Sequence, residues 1–188
     1  MSVIVVSFTT LDGGVTDPDG SAGTPQGGWL YRYGPEAITG DKFGIGPVLE
    51  DGVLLLGRTT WQRFATLWPA RDDDFAARMN AAPKLVASRT LTDADLGVWS
   101  NSRLLDGDLV ESVKGERRDV VVAGSYGIVD QLAAADLVDE YRLLTFPILV
   151  GGGRRLFPAD GPHQELDAVQ AELAGPLVRT RYRRTAAR

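Results

Sequence analysis

Four short runs of the chain are almost uniformly apolar: VIVVSF at 3–8, VLLLG at 53–57, KLVAS at 84–88 and DVVVAG at 119–124. They are continuous rather than alternating, rich in valine and leucine, and separated by segments long enough for crossover connections. Strands of a parallel sheet covered on both faces carry this pattern, so the runs predict an α/β fold. The stretch 139–150, DEYRLLTFPILV, resumes strand character. The segments ELDAVQAEL and LVRTRYRR, on either side of Gly175-Pro176, predict two antiparallel strands joined by a turn.

Helical periodicity fills the intervals. In 124–138, GSYGIVDQLAAADLV, Ser125 is placed to cap the first turn, and Ile128, Val129, Leu132, Ala133 and Leu137 form one apolar stripe. A second helix is predicted from Thr59 through Trp61, Phe64 and Leu67 to a stop at Pro69. A third starts near Asp72 to Asp74 and stops before Pro83. Residues 35–50 predict another helix, weakened by Gly40, Gly44 and Gly46 at about 1 kcal/mol each relative to alanine. There is no internal repeat, linker or low-complexity segment, and the 188 residues predict a single domain, 1–188.

Composition narrows the chemistry. The chain has no cysteine and one histidine, His163, which excludes disulfide frameworks, thiolate zinc sites, cysteine nucleophiles and multi-histidine metal centres. His163 lies in the polar loop PADGPHQE, where exposure is expected, so a Ser-His hydrolase is disfavoured. A net charge of -5 argues against nucleic-acid binding. No segment has the roughly 20 uninterrupted apolar residues of a membrane helix, and a soluble, cytoplasmic protein is expected.

The candidate chemistry lies where the apolar runs end. Three of them run into small and polar or basic residues: Gly57-Arg58-Thr59-Thr60, Ser88-Arg89-Thr90 and Gly124-Ser125-Tyr126-Gly127. Each alone is ordinary turn chemistry. In an open parallel sheet, however, ligands bind outside the carboxyl ends of the strands, and two of these junctions open helices whose free N–H groups favour phosphate. Their agreement in position predicts a crevice for a ligand with more than one anionic group. The first strand exit, SFTTLDGG, adds Asp12, either as a plain turn residue or as a carboxylate beside the ligand. Trp29, Tyr31, Tyr33, Trp61, Phe64 and Trp68 offer rings for stacking on a planar heterocycle or for the core.

Taken in order, SFTTLDG, LLLGRTTW, KLVASRTL, VVVAGS and LVDEYRLLTFPILVGGGRRLF resemble the dihydrofolate-reductase-like superfamily. The likeness is closest to the branch that holds the reductase domain of the riboflavin-biosynthesis deaminase-reductase and its stand-alone relatives. It implies a mixed, mainly parallel central sheet flanked by helices, with a C-terminal antiparallel hairpin, and NADPH bound without the G-x-G-x-x-G fingerprint. By the same resemblance Gly57, Arg58, Thr59 and Thr60 hold the pyrophosphate region, while Ser88, Arg89 and Thr90 meet the adenosine 2'-phosphate. Gly124, Ser125, Gly127, Ile128 and Val129 line the pyrophosphate and nicotinamide side.

The resemblance implies Asp12 as the catalytic carboxylate, with Glu36, Asp41 and Glu50 as alternatives from the dihydrofolate-reductase pattern. Arg154 or Arg155 of GGGRRLF meets an anionic substrate group or simply ends a strand. The expected function is an NADPH-dependent reductase of a small planar heterocycle, pterin-like or pyrimidine-like, with Asp12, Trp29, Trp61 and Arg154 at the substrate. A reductase of secondary metabolism and a non-catalytic nucleotide-binding protein are the alternatives. Relatives of this branch are often homodimers, and the apolar side chains of the C-terminal hairpin suit such an assembly.

Overall fold

The computed structural model describes residues 1–185, so positions 186–188 of the expected domain lie outside the described residues. Eight strands form one sheet: β1 (Val3–Thr10), β2 (Val53–Gly57), β3 (Lys84–Ala87), β4 (Ser102–Leu104), β5 (Val120–Val122), β6 (Glu140–Phe146), β7 (Leu166–Ala174) and β8 (Leu177–Arg184). Their order is β4-β3-β2-β5-β1-β6-β8-β7. β1, β5, β2, β3 and β4 pair in parallel, and β6–β8 and β8–β7 pair antiparallel. The mixed, mainly parallel α/β sheet with a C-terminal hairpin is the architecture that the apolar runs and the resemblance predict.

The chain divides into two compact units, Met1–Val5 with Gly44–Asp139, and Val6–Phe43 with Glu140 onward. In the first, Val53, Leu54, Leu55 and Leu56 of β2 and Val120, Val121 and Val122 of β5 are all at zero exposure, which is why their sequences do not alternate. Each such side chain contributes about 2 kcal/mol by leaving water. Helices α2 (Arg58–Leu67) and α3 (Asp74–Ala81) follow β2; α4 (Asp93–Leu96), α5 (Leu109–Gly115) and α6 (Tyr126–Ala134) complete this unit, with α1 (Gly46–Asp51) ahead of β2. The Asp73 carboxylate accepts from the Ala76 N–H at 2.9 Å and starts α3 where the aspartate run predicts it.

The second unit is built on aromatic rings. Trp29, Leu30, Leu144, Phe146 and Leu177 form its buried cluster, with Phe8, Tyr33 and Phe43 packed against it. Trp29 and Phe146 meet edge to face at 5.0 Å, and Tyr33 meets Phe146 at 5.5 Å.

Three expectations change in detail. Residues 35–50 hold a 3-10 turn at Pro35–Ala37 and the short α1 rather than one helix. Gly40 at φ 75° and Gly44 at φ 62° turn the chain out of the helical region between them. β6 stops at Phe146 because Pro147 follows. The helix expected over 124–138 spans only Tyr126–Ala134, and Asp136 at φ 53° closes it. β4, α4 and α5 were not legible, since three- to seven-residue elements give too few positions to show a period.

Candidate functional site

In the first unit the three junctions are neighbours. β3, β2 and β5 are adjacent parallel strands, so Ser88-Arg89-Thr90, Gly57-Arg58-Thr59-Thr60 and Gly124-Ser125 leave the sheet side by side at its carboxyl edge. Gly57 is the residue preceding α2 and Ser125 the residue preceding α6, and neither places a side-chain cap on its helix. The expected Ser125 cap is therefore not made. Two helix N-termini with uncapped first turns stand together, a surface that favours an anion.

The two turns interlock through the absence of side chains. The Gly57 N–H donates to the Gly124 carbonyl at 3.1 Å. A Cβ on Gly57 would lie 2.5 Å from Ser125 Oγ and 3.2 Å from Ser125 N, and one on Gly124, at φ 111°, would lie 3.0 Å from Thr60 Oγ1. The Gly124–Ser125 peptide is cis. Gly127 is exposed at the mouth of α6. The Arg58 guanidinium reaches sideways, Nη1 donating to Thr90 Oγ1 at 3.1 Å, and so faces the β3 exit rather than its own turn. Arg89 is exposed and has no ion pair among the described residues.

Four of the expected site residues are buried. Ile128 and Val129 are 4% and 3% exposed, and both of their N–H groups return to the Ser125 carbonyl, at 3.0 and 3.3 Å. They form the core face of α6. Trp61 is 2% exposed with its indole N–H donated to Ser102 Oγ, and Trp29 is 1% exposed against Phe146. Both rings are enclosed by the core, Trp61 on the buried face of α2 and Trp29 in the aromatic cluster of the second unit.

In the second unit the first strand exit is fastened to the segment 147–156. Leu11 N–H donates to the Ile148 carbonyl, Val15 N–H to the Arg154 carbonyl and Leu156 N–H to the Gly13 carbonyl, at 2.9 to 3.0 Å. Asp12 is the centre of this clasp. Its carboxylate accepts from the Thr10 hydroxyl at 2.5 Å, the Val150 N–H at 3.3 Å and the Gly151 N–H at 2.9 Å. These donors, the Thr10 hydroxyl above all and then the Gly151 N–H, pull its pKa down to about 2. A carboxylate held in that way carries no proton near neutrality. Arg155 donates from its guanidinium to the Asp12 carbonyl, and Arg154 N–H to Thr16 Oγ1 at 2.6 Å. Thr10, 1% exposed, joins this arrangement through its own turn, its hydroxyl donating to Asp12 Oδ1 and accepting from the Gly14 N–H at 2.7 Å. Of the alternative carboxylates, Glu36 is exposed in its 3-10 turn and Glu50 is held by Arg78. His163 is exposed.

The sheet order, the hairpin and the strand-exit turns define a dihydrofolate-reductase-like fold. Within it, the chain belongs to the RibD C-terminal domain family, whose sequence profile matches residues 1–178. A putative riboflavin biosynthesis protein from Shewanella sp. PV-4 is similar at 26% identity and a TM-score of 0.72, covering 98% of this chain and 99% of that one. A diaminohydroxyphosphoribosylaminopyrimidine deaminase/5-amino-6-(5-phosphoribosylamino)uracil reductase from Thermotoga maritima shares the fold at 16% identity and a TM-score of 0.59. That match covers 98% of this chain but only 56% of the Thermotoga chain. Dihydrofolate reductase from Enterococcus faecalis, solved with NADP(H), shares it at 12% identity and a TM-score of 0.61, over 97% and 96% of the two chains. No curated protein sequence matches this one. Among the described residues no helix is long and apolar enough to cross a membrane.

Proposed function

We propose that the protein is an NADPH-dependent reductase that delivers hydride to a small planar heterocycle, pterin-like or pyrimidine-like, in the cytoplasm. The observation that carries this reading is the row of three strand-exit turns at adjacent parallel strands, two of them opening uncapped helices. Family membership supports the same reading, as does the fold shared with a deaminase/5-amino-6-(5-phosphoribosylamino)uracil reductase and with a dihydrofolate reductase complexed with NADP(H). The nicotinamide supplies the hydride, and the chain supplies binding and orientation. Gly57, Thr59, Thr60, Gly124, Ser125 and Gly127 hold the phosphates, and Arg58 and Arg89 meet the 2'-phosphate. Consumption of NADPH, followed by absorbance over a panel of dihydropterins, aminouracils and unrelated carbonyl compounds, tests the reading. Binding of NADPH with no turnover on any of them would leave a nucleotide-binding protein instead.

Arg89→Ala is expected to weaken NADPH by roughly 1.5 to 3 kcal/mol, the scale of a hydrogen bond to a charged group, and to leave NADH nearly unchanged. Titration with both dinucleotides by tryptophan fluorescence checks this; equal losses remove Arg89 from the 2'-phosphate.

For Asp12 the proposed role is to hold the 147–156 segment in place. Asp12→Asn is expected to lower stability at neutral pH by roughly 1 kcal/mol and to keep turnover per folded molecule. The folded pKa is depressed from 3.8 to about 2, so this contribution is present above about pH 4 and is lost as the pH falls toward 2. Melting curves of both proteins should therefore converge in that window, and a persistent gap would mean the carboxylate charge is not what holds the clasp. A hundredfold fall in hydride transfer would restore Asp12 to the chemistry.

We also infer a homodimer through the C-terminal hairpin, because β7 is the last strand of the sheet order and leaves Val169 at 47% and Leu173 at 78% exposure. Light scattering should give twice 20.2 kDa, and a monomer across a wide concentration range would end the idea.

A further inference from the structure

The β3 exit divides its labour between charges and hydroxyls. Arg58 is the first residue of α2, a position where the helix dipole disfavours a cation. It is also an exposed arginine, whose free side chain samples many rotamers. A tether that fixes it therefore has an effect only if its direction matters, and the Thr90 hydroxyl is that tether, accepting from Nη1 at 3.1 Å.

Thr90 is itself held from both sides. Ser88 Oγ accepts from the Thr90 N–H at 3.2 Å and the Leu91 N–H at 3.0 Å, which closes the turn that follows β3. Just beyond it, the Thr92 N–H and hydroxyl both donate to Asp95 Oδ2, at 2.7 and 2.8 Å, and the reciprocal capping box anchors α4. The run between these anchors is short, so the Thr90 hydroxyl is presented at a fixed place. Arg89, between Ser88 and Thr90, stays exposed without an ion pair among the described residues.

Resting on the cofactor reading above, we infer that Thr90 is a positioning residue that aims the Arg58 guanidinium at the β3 exit, with Ser88 fixing the turn that carries it. The phosphate at this exit is then met by Arg58 and Arg89, and the discrimination between NADPH and NADH passes through a neutral hydroxyl that meets the arginine instead of the ligand.

Dinucleotide titrations on the full chain test this through a double-mutant cycle. Thr90→Val is expected to weaken NADPH about fivefold, one ordinary hydrogen bond, and to leave NADH unchanged. Thr90→Ser should restore NADPH binding, and in an Arg58→Ala background Thr90→Val should have no further effect. Equal losses for NADPH and NADH, or independent effects of the two substitutions, overturn the inference while leaving the cofactor reading standing. A wild-type protein that binds neither dinucleotide overturns both. Melting temperatures within about a degree of wild type keep the comparison on folded protein, and Ser88→Ala, which removes the turn's acceptor and leaves Thr90 intact, should reproduce the selective NADPH loss.

Discussion

Gly57→Ala is expected to weaken NADPH by about a hundredfold or more, the scale on which a displacement of about 1 Å at a binding centre acts. The added Cβ would stand 2.5 Å from Ser125 Oγ, 3.0 Å from Ser125 Cβ and 3.2 Å from Ser125 N. Rotation of a hydroxyl relieves the first of these distances, but not the other two, which involve the Ser125 side-chain root and backbone. The β2 exit or the β5 exit must then move, and the hydrogen bond from Gly57 N–H to the Gly124 carbonyl stretches with it. Overpacking of this kind also costs about 1 to 3 kcal/mol of stability. Gly115→Ala is the control, since a Cβ there meets nothing and the residue ends α5. Calorimetric titration with NADPH at a temperature well below both melting points checks the prediction. Affinity within a factor of three of wild type would show that the notch between the two turns does not set the phosphate seat.

Lys84→Met should destabilise the fold by roughly 3 kcal/mol, because it leaves three carbonyls, that of Ala82 fully buried, without their donor. Lys84 begins β3 and is wholly buried. Its ammonium donates to the carbonyls of Asn80 at 2.8 Å, Ala82 at 2.7 Å and Ser100 at 3.0 Å, and lies 4.3 Å from the centre of the Trp99 ring. One side chain thus joins the end of α3, the start of β3 and the approach to β4. Burial pulls the Lys84 pKa down to about 8, still above neutrality, so at pH 7 all three protons are present to serve the three carbonyls. Between about 8 and the unfolded value near 10.5 the unfolded chain binds more protons than the folded one, so the Lys84 contribution makes wild-type stability rise with pH across that window. The methionine variant should lack that rise. Urea unfolding at pH 7 and at steps up to pH 10 measures both effects, and a variant within 0.5 kcal/mol of wild type would show that water replaces the ammonium.

The sequence by itself determined the elements whose side chains all face one kind of surroundings. VLLLG reads as a strand buried on both faces, and β2 occupies those five residues; Pro69 and Pro83 stop α2 and α3, and Gly175-Pro176 turns the hairpin. It also determined that three strands end in small, polar or basic residues, since glycine, serine and arginine at those places are local facts. What the tertiary structure alone decided is which groups meet. Periodicity shows that Ile128 and Val129 share a stripe, but their place in the core, with both N–H groups returned to Ser125, depends on the sheet beneath α6. Trp29 and Trp61 read from the sequence as core residues or as a stacking surface, and only their neighbours place them in the core. Asp12 takes its backbone donors from positions 138 and 139 residues away, and Thr90 meets an arginine 32 residues before it. Lys84 opens an apolar run, and its ammonium is met there by carbonyls from the end of α3 and from Ser100. Local patterning reflects the backbone's period and the solvent on each side, whereas a hydrogen-bond partner is fixed by chain paths that approach only after the sheet has formed.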